Sequence, residues 1–282
     1  MRRSHRFAIV DVFTDTPLEG NQLAVFTDAR EIPEPLLLPL AREVGFSETV
    51  FVYPPAGDGH VAIRIFTPAR EIPFAGHPTL GTAFLLAAPM QLEEIRLETG
   101  VGVVRVALDR EGDRLVFGRM EQPVPRWEPY ERAEELLAGL GVARSELPVE
   151  VYDSGVRHVF VALAGRDDVA SLAPDLGALA RHGDVLGINC FAGGGSEWKV
   201  RMFAPAWDVA EDAATGSAAG PLAVHLARHG LTGFGADVRI EQGVEIGRRS
   251  LLYARAEGTA ERVERVQVGG SAVVVARGEF KV

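Results

Sequence analysis

A segment of this sequence occurs twice, and the repetition limits the folds that the chain can adopt. RIFTPAREIPFAGHPTLGTA at 64–83 and RMFAPAWDVAEDAATGSAAG at 201–220 match at a constant offset, at Arg64 and Arg201, Phe66 and Phe203, Pro68 and Pro205, and Ala69 and Ala206. In both copies a strand-like run ends at Phe-x-Pro-Ala, a loop follows, and a segment of small residues begins an apolar helix. We therefore expect an internal duplication with two units of the same kind.

Two predicted helices are apolar around nearly their whole circumference, which is typical of buried helices. They are LGTAFLLAA at 80–88 and SAAGPLAVHLA at 217–227. Short β-type runs separated by turn residues dominate the first half of the chain. A buried helix among many short strands indicates a sheet that curls around it. The sequence thus predicts an α+β fold with two pseudo-symmetric domains, each a curled, barrel-like mixed β-sheet around a central buried helix.

The boundary between the two domains is predicted near the middle of the chain. The stretch 122–129 is rich in Pro, Arg and Trp and has no periodicity, which favours a linker. We therefore predict domains at 1–121 and 122–282, with the last strands able to cross back to the first half. Hydrophobic periodicity predicts helices over 34–44, 79–88, 131–140, 175–181 and 216–229.

The charge balance excludes two classes of partner. The chain has 282 residues with 29 Lys and Arg against 39 Asp and Glu, a formal net charge of −10. Such an acidic chain repels a phosphate backbone, so no nucleic acid partner is expected. The longest apolar stretch, 83–90, is far shorter than the roughly 18 to 20 residues that span a bilayer, so no membrane partner is expected either. We predict a cytoplasmic protein.

Polar groups stand where each of the two buried helices is predicted to begin. His77 and Thr79 precede one helix, and Asp212, Thr215 and Ser217 surround the start of the other. Free backbone N–H groups and the positive end of the helix dipole make such a position suitable for an anion. Plain capping is the alternative, with Thr79 and Thr215 accepting hydrogen bonds from the first turn and Asp212 complementing the dipole. The spacing alone leaves both interpretations open.

Glu48 lies at the entry to the apolar strand 49–54. If its side chain faces inward, burial raises the pKa of the carboxyl and suits it to general acid/base catalysis. If the side chain points to solvent at the strand end, Glu48 has no special role. The local pattern does not decide between these two positions.

Three further residues are predicted to be structural. His225 and His229 are four residues apart on a predicted helix and could share a metal, but no H-E-x-x-H pattern or nearby Cys or Asp cluster completes a site. We expect surface histidines and no metal site, with a metal-dependent hydrolase as the alternative that bound metal would reveal. Cys190, the only cysteine, excludes disulfides and two-thiol mechanisms and is expected to be a buried thiol.

Five segments of the chain resemble the PhzF-like phenazine-biosynthesis family, whose members share the diaminopimelate-epimerase fold. They occur in the expected order and span most of the chain: VDVFTDTPLEGNQLAVF (10–26), GFSETVFV (45–52), RIFTPAREIPFAGHPTLG (64–81), RMFAPAWDVAEDAATGSA (201–218) and EQGVEIGR (241–248). The resemblance implies two pseudo-symmetric domains with the active site in the cleft between them. It also implies a homodimer.

The resemblance implies a cofactor-independent isomerase that moves a proton on a small amino- or hydroxy-carboxylate, such as trans-2,3-dihydro-3-hydroxyanthranilate. The matching catalytic positions are Glu48, His77 and Asp212, and the matching substrate-binding positions are Ser47, Gly76, Gly216 and Ser217. Ala213 stands where the family usually has proline, which is expected to loosen the loop that presents Asp212. A non-catalytic protein that binds a small carboxylate or a partner is the alternative.

Overall fold

The computed structural model describes residues 3–282 of the chain. The described residues form two compact units. The first takes in the chain up to Glu121 together with Gly269–Val282, and the second is Gln122–Val268.

Strands greatly outnumber helices in both units. In chain order the strands are β1 (Ser4–Val12), β2 (Asn21–Phe26), β3 (Glu48–Tyr53), β4 (Val61–Phe66), β5 (Glu71–Ile72), β6 (Glu94–Thr99), β7 (Gly102–Glu111), β8 (Arg114–Gln122), β9 (Arg126–Pro129), β10 (Glu150–Asp153), β11 (Arg157–Ala162), β12 (Gly187–Gly194), β13 (Glu197–Ala204), β14 (Val209–Asp212), β15 (Asp237–Gln242), β16 (Ser250–Gly258), β17 (Val263–Gly270) and β18 (Ala272–Lys281).

The helices are α1 (Glu34–Val44), α2 (Gly76–Met90), α3 (Ala133–Leu140), α4 (Arg166–Ala170), α5 (Leu176–Leu179) and α6 (Gly216–Arg228), with short 3₁₀ helices at Pro205–Trp207 and Val244–Ile246. No helix among residues 3–282 is long and apolar enough to cross a membrane.

The two units repeat the same order of strand pairings. In the first unit β1 pairs with β2 antiparallel, β2 with β3 parallel, β3 with β4 antiparallel, β4 with β6 parallel and β6 with β7 antiparallel. In the second unit the same sequence runs through β10, β11, β12, β13, β15 and β16. The α+β class with a curled mixed sheet in each unit, predicted from the repeat, is confirmed.

Each unit has one long helix that is buried along most of its length. Helix α2 is buried from Gly76 to Leu85, and α6 from Gly216 to Ala227. Small residues allow these helices to approach the strands closely. A side chain at Gly81 of α2 would collide with Val12 and Leu23, at 2.6 and 2.8 Å from its first carbon. The glycines within these helices therefore serve packing, which outweighs their low helix propensity.

The alternating faces of the strands separate two kinds of packing within each unit. In the first unit Phe51 of β3 stacks on Phe26 of β2, with ring centroids 4.9 Å apart, in a cluster that includes residues of α1. Because successive side chains of a strand point to opposite faces, Glu48 and Val50 of β3 lie on the other face. The strand thereby directs Glu48 away from the α1 cluster.

One sequence expectation about a boundary segment needs correction. The stretch 122–129 contains a strand, β9, which pairs antiparallel with β10 and places Trp127 opposite Tyr152. The Pro and Arg residues concealed this strand because they interrupt the alternation that a strand usually shows. The glycine run 193–195 lies where β12 turns into β13.

Candidate functional site

The predicted site residues fall into two groups, one in each unit. The first unit contains Ser47, Glu48, Gly76 and His77, and the second contains Asp212, Gly216 and Ser217. In both groups the residues collect at the start of the buried helix of that unit.

Glu48 is the first residue of β3, and its side chain is turned inward. The side chain is 17% exposed, and its Oε2 lies 3.4 Å from Nε2 of His77. Burial raises the pKa of this carboxyl to about 7, against an opposing hydrogen bond from Ser47. The solvent-facing alternative for Glu48 is therefore wrong. Near neutral pH the carboxyl can either accept or release a proton, as general acid/base catalysis requires.

His77 is the second residue of α2 and is 4% exposed. Its Nδ1 lies 3.4 Å from the side-chain nitrogen of Asn21, and the oxygen of the same amide accepts a hydrogen bond of 3.4 Å from Ser47. An amide NH₂ can only donate, so Nδ1 acts as the acceptor in this arrangement. The proton of the neutral ring then resides on Nε2, which faces Glu48.

Asn21 is a site residue that the sequence reasoning missed. It begins β2 and is 5% exposed, although the rest of that strand is largely apolar. The preceding residue, Gly20, has a φ of +69°, and a side chain there would collide with the carbonyl oxygen of Val12. A buried asparagine directly after a turn that only glycine fits is the signal that could have identified it.

In the second unit a buried glutamine holds the segment from Asp212 to Thr215. Gln242 is 2% exposed and donates to the backbone oxygen of Asp212 at 2.9 Å and to Oγ1 of Thr215 at 3.0 Å. Its side-chain oxygen accepts from the backbone N–H of Thr215 at 3.2 Å. These bonds fix the loop at both ends of Ala213. Gln242 thus restrains the loop in which the missing proline led us to expect looseness.

Thr215 does not act as the predicted cap. Its hydroxyl donates to Oδ2 of Asp212 at 2.6 Å and accepts no hydrogen bond from the first turn of α6. Thr79 likewise donates its hydroxyl to the backbone oxygen of Ala75, at 2.8 Å. The capping interpretation is therefore wrong for both threonines. Neither threonine hydroxyl is directed at the first N–H groups of its helix, and a helix start is in general a position suited to an anion.

Gly216 and Ser217 form the first two positions of α6. The backbone oxygen of Gly216 accepts a hydrogen bond of 2.8 Å from Gln122, and Oγ of Ser217 lies 3.0 Å from Nε2 of His158. Both Gln122 and His158 are buried. The start of the helix is thus fixed by polar side chains on neighbouring strands, which the sequence pattern did not indicate.

His225 and His229 are not surface histidines, contrary to the expectation. The His225 side chain is fully buried, and both rings approach Oε2 of Glu150, at 3.2 Å from Nδ1 of His225 and 3.1 Å from Nε2 of His229. The same oxygen accepts from Arg228 at 2.8 Å and from Tyr152 at 2.9 Å. We call this group the Glu150 cluster.

The Glu150 cluster contains three side chains of metal-binding type whose ligand atoms lie within 4.8 Å of one another. A permanent cation, the Arg228 guanidinium, already neutralises the carboxylate at 2.8 Å. Burial raises the pKa of Glu150, but the hydrogen bonds from His225, His229 and Arg228 outweigh burial and hold it well below its ordinary value. A divalent cation would have to displace Arg228, so the geometry favours an internal ion cluster.

Cys190 is buried, as expected, and burial raises the pKa of its thiol to about 12. Because the thiolate is the nucleophilic form, this residue is inert near neutral pH.

Comparison with known proteins adds independent information. A family model described as phenazine biosynthesis-like protein matches residues 10–278. A trans-2,3-dihydro-3-hydroxyanthranilate isomerase of Pseudomonas fluorescens is 50% identical over 274 residues, which cover 97% of this chain and 98% of the relative.

Two solved structures with similar folds differ in how closely their sequences match this chain. A predicted epimerase from Pseudomonas aeruginosa has a TM-score of 0.83 at 28% identity, with 98% of this chain and 99% of that chain covered. A hydroxyproline epimerase from Agrobacterium vitis, solved with bound trans-4-hydroxy-L-proline, has a TM-score of 0.70 at 12% identity, with 100% and 94% covered. The second match shows a common fold alone.

Proposed function

Because the chain belongs to the phenazine biosynthesis-like protein family and is an isomerase, we propose that Glu48 carries the proton that it moves. The observation that carries the proposal is the inward-facing Glu48 carboxyl, 3.4 Å from His77 and with a pKa of about 7. A carboxyl with an ordinary pKa would be a much weaker base towards a carbon-bound proton.

The proposed reaction is a proton shift on a small amino- or hydroxy-carboxylate. Ionised Glu48 removes a proton from a carbon atom of the substrate, and the electron pair of that C–H bond moves into the adjacent conjugated system. Protonated Glu48 then returns the proton to another carbon, and the double bonds shift accordingly. Atoms and electrons balance within the substrate, so this step needs no oxidant, reductant or cofactor.

The substrate that we propose is trans-2,3-dihydro-3-hydroxyanthranilate. The support is that the Pseudomonas fluorescens relative, which is 50% identical over almost the whole chain, is a trans-2,3-dihydro-3-hydroxyanthranilate isomerase. The compound carries a carboxylate, an amine and a hydroxyl group, and its ring has sp³ carbons from which a proton can leave. These groups correspond to the polar residue types at the two helix starts.

We assign the remaining residues to binding and orientation. His77 presents the proton on Nε2 and can hold a polar substituent or pass a proton to Glu48. Asp212, fixed by Thr215 at 2.6 Å, is a rigid acceptor for the substrate amine or hydroxyl. Ser47 orients Asn21, and Gly76, Gly216 and Ser217 supply helix-start groups for the carboxylate.

We also propose that the protein is a homodimer located in the cytoplasm. The support for both the dimer and the location is the family resemblance. Light scattering coupled to size-exclusion chromatography tests the dimer, and cell fractionation tests the location.

The test of the proposed function is NMR of trans-2,3-dihydro-3-hydroxyanthranilate with the protein in heavy water. Wild type and the control Glu43→Gln, which alters an exposed glutamate of α1, should convert the substrate and place deuterium on the ring. Glu48→Gln should lose about 10³-fold of this activity. Conversion that survives in Glu48→Gln would remove Glu48 from the mechanism. Substrate binding without conversion by wild type would instead indicate a carboxylate-binding protein.

A further inference from the structure

His158 is a fully buried histidine to which the proposed reaction gives no role. It is the second residue of β11, where side chains alternate between two faces. Val159 and Val161 pack in the apolar cluster that includes α3, whereas His158 faces α6 and approaches Ser217 at 3.0 Å. Burying an imidazole at this position instead of an apolar side chain requires a hydrogen-bonding reason.

The surroundings of the ring determine which nitrogen carries the proton. The side-chain nitrogen of Asn189 lies 3.5 Å from Nδ1 of His158 and also donates to the backbone oxygens of Val159 and Gly187, at 3.2 and 3.3 Å. The two carbonyl acceptors identify this Asn189 atom as the NH₂ group, which has no lone pair to offer. Nδ1 of His158 therefore faces a donor and is the unprotonated nitrogen.

The ring is also neutral and firmly held. Burial lowers the pKa of His158 to about 3. The ring is tightly packed against the backbone at Gly187. A first side-chain carbon added there would lie 2.9 Å from Nδ1 of His158 and 2.6 Å from the Met202 methyl group. A neutral imidazole has one N–H, so the proton of His158 is on Nε2.

This assignment fixes the role of the Ser217 hydroxyl. Nε2–H of His158 donates to Oγ, so the oxygen acts as the acceptor of that bond and its own hydrogen must point elsewhere. Ser217 is only 7% exposed, and its hydroxyl hydrogen has no acceptor among residues 3–282. The residue stands at the second position of α6, where backbone N–H groups also lack intrahelical partners.

We propose that His158 is a positioning residue that fixes the Ser217 hydroxyl as a hydrogen-bond donor to the substrate carboxylate at the start of α6. The inference rests on the proposed function and deepens it, since it states which residue sets the direction of the Ser217 hydroxyl. A carboxylate offers acceptors to the hydroxyl and to the helix N–H groups. An ammonium or amide N–H at the same place would meet only donors and is excluded.

The first test measures the protonation of His158 in the wild-type protein without any ligand. Histidine labelled with ¹⁵N distinguishes the two tautomers by chemical shift, and a His158→Gln sample assigns the signals. We expect a neutral ring protonated on Nε2 from pH 6 to pH 8. A ring protonated on Nδ1, or an imidazolium, would overturn the proposal because Ser217 would then be free to donate to a different partner.

The second test measures binding of 3-hydroxyanthranilate, an aromatic probe that carries the three substituents and has no sp³ ring carbon. His158→Leu and Ser217→Ala should each weaken binding about 10-fold or more, as expected for loss of a hydrogen bond to a charged group. His158→Gln, whose amide can still donate to Ser217, should retain most of the affinity. The matched control is His182→Gln, a buried histidine that contacts Tyr130 instead.

The double variant separates positioning from general packing. If His158 acts through Ser217, His158→Leu adds no further loss in a Ser217→Ala background. With the dihydro substrate, His158→Leu should raise KM and leave kcat within about 2-fold, because the carboxylate contact is the same in the ground and transition states. Additive losses in the double variant, or a fall in kcat with KM unchanged, would overturn the proposal.

Failure of the proposed function gives a different pattern. Wild type that binds 3-hydroxyanthranilate with the expected His158 and Ser217 dependence, yet does not convert the dihydro substrate, would contradict the isomerisation and support the carboxylate position. Binding that neither His158→Leu nor Ser217→Ala weakens would contradict the carboxylate position alone. Wild type that binds no 3-hydroxyanthranilate would contradict both.

Discussion

Two largely buried glutamates of this protein lie beside histidines, and yet the pKa values of their carboxyls are shifted in opposite directions. Glu48 of the first unit is 3.4 Å from His77, and burial raises its pKa to about 7. Glu150 of the second unit is 3.2 Å from His225, and its pKa is held well below the ordinary value. The side chains are comparably buried, at 17% and 10% exposed.

The difference is set by the donors around each carboxylate. Oε2 of Glu150 accepts hydrogen bonds from two histidines, a tyrosine and the permanently charged Arg228, whereas Oε2 of Glu48 accepts none within residues 3–282. A carboxylate surrounded by donors stays ionised and cannot cycle a proton at neutral pH. The Glu48 carboxyl, where the hydrogen bond from Ser47 does not offset burial, can exchange its proton near neutral pH, at a cost in folding free energy. We therefore attribute chemistry to Glu48 and structure to Glu150.

The largest expected effect is on catalysis and separates the two glutamates. Glu48→Gln should lower kcat about 10³-fold, whereas Glu150→Gln should stay within about 3-fold of wild type when assayed well below its unfolding temperature. Steady-state kinetics on both variants make the comparison. A 10³-fold loss in Glu150→Gln with its fold intact would contradict the structural assignment.

The second-largest expected effect is on stability, and here the loss falls on the Glu150 variant. Glu150→Gln should lower the free energy of unfolding by about 4 kcal/mol, because Arg228 is left buried without its counter-charge. Denaturant unfolding measures this loss, and Tyr152→Phe, which removes one neutral donor, should cost only about 1 kcal/mol. The loss in Glu150→Gln should shrink as the pH falls below about 4.5, where Glu150 takes up a proton in the unfolded chain but stays ionised in the folded protein. An unchanged stability would mean that Glu150 is dispensable.

The pH dependence of stability tests the raised pKa of Glu48. Between about pH 4.5 and pH 7 the unfolded chain has released this proton while the folded protein still holds it, so the stability of wild type falls as the pH rises. Glu48→Gln lacks this loss. Relative to wild type, the variant should therefore gain up to about 3 kcal/mol between pH 4.5 and pH 8. A difference that does not vary with pH would indicate an ordinary carboxyl.

The smallest effect concerns Asn21, which orients His77. Asn21→Ala should lower kcat about 10-fold, because the imidazole loses the donor that keeps its proton on Nε2. Asn21→Asp offers an acceptor to Nδ1 of His77. It should therefore move the ring proton from Nε2 to Nδ1 and lower kcat at least as much. Equal activity in all three proteins would show that His77 needs no orientation by Asn21.

The sequence predicted the features that depend on pattern and failed on those that depend on long-range contacts. Helix α1 matched the expected range, since burial periodicity is a local property. The repeat predicted two units of the same kind, but their order of strand pairings came from the structure alone. The partners of His225 were missed because Glu150 is 75 residues away in the chain and only the folded structure brings the two side chains together. His158 and Asn21 were missed for the same reason.

The direction of each Glu side chain was also beyond the sequence. Glu48 and Glu150 both begin a strand, and a strand start can face either way. Whether the carboxyl then meets donors or apolar groups depends on the helix packed against it, here α2 for Glu48 and α6 for Glu150. The resemblance implies the role that we propose for Glu48, and the burial of its carboxyl supports that proposal.

The most direct measurement is a ¹³C NMR titration of the glutamate carboxyl groups, with Glu48→Gln and Glu150→Gln samples to assign the two signals. The account predicts a midpoint near pH 7 for Glu48 and an ionised Glu150 throughout the range above pH 4.5. A Glu48 midpoint close to the ordinary value of 4.5 would contradict the central claim that burial prepares this carboxyl for proton transfer.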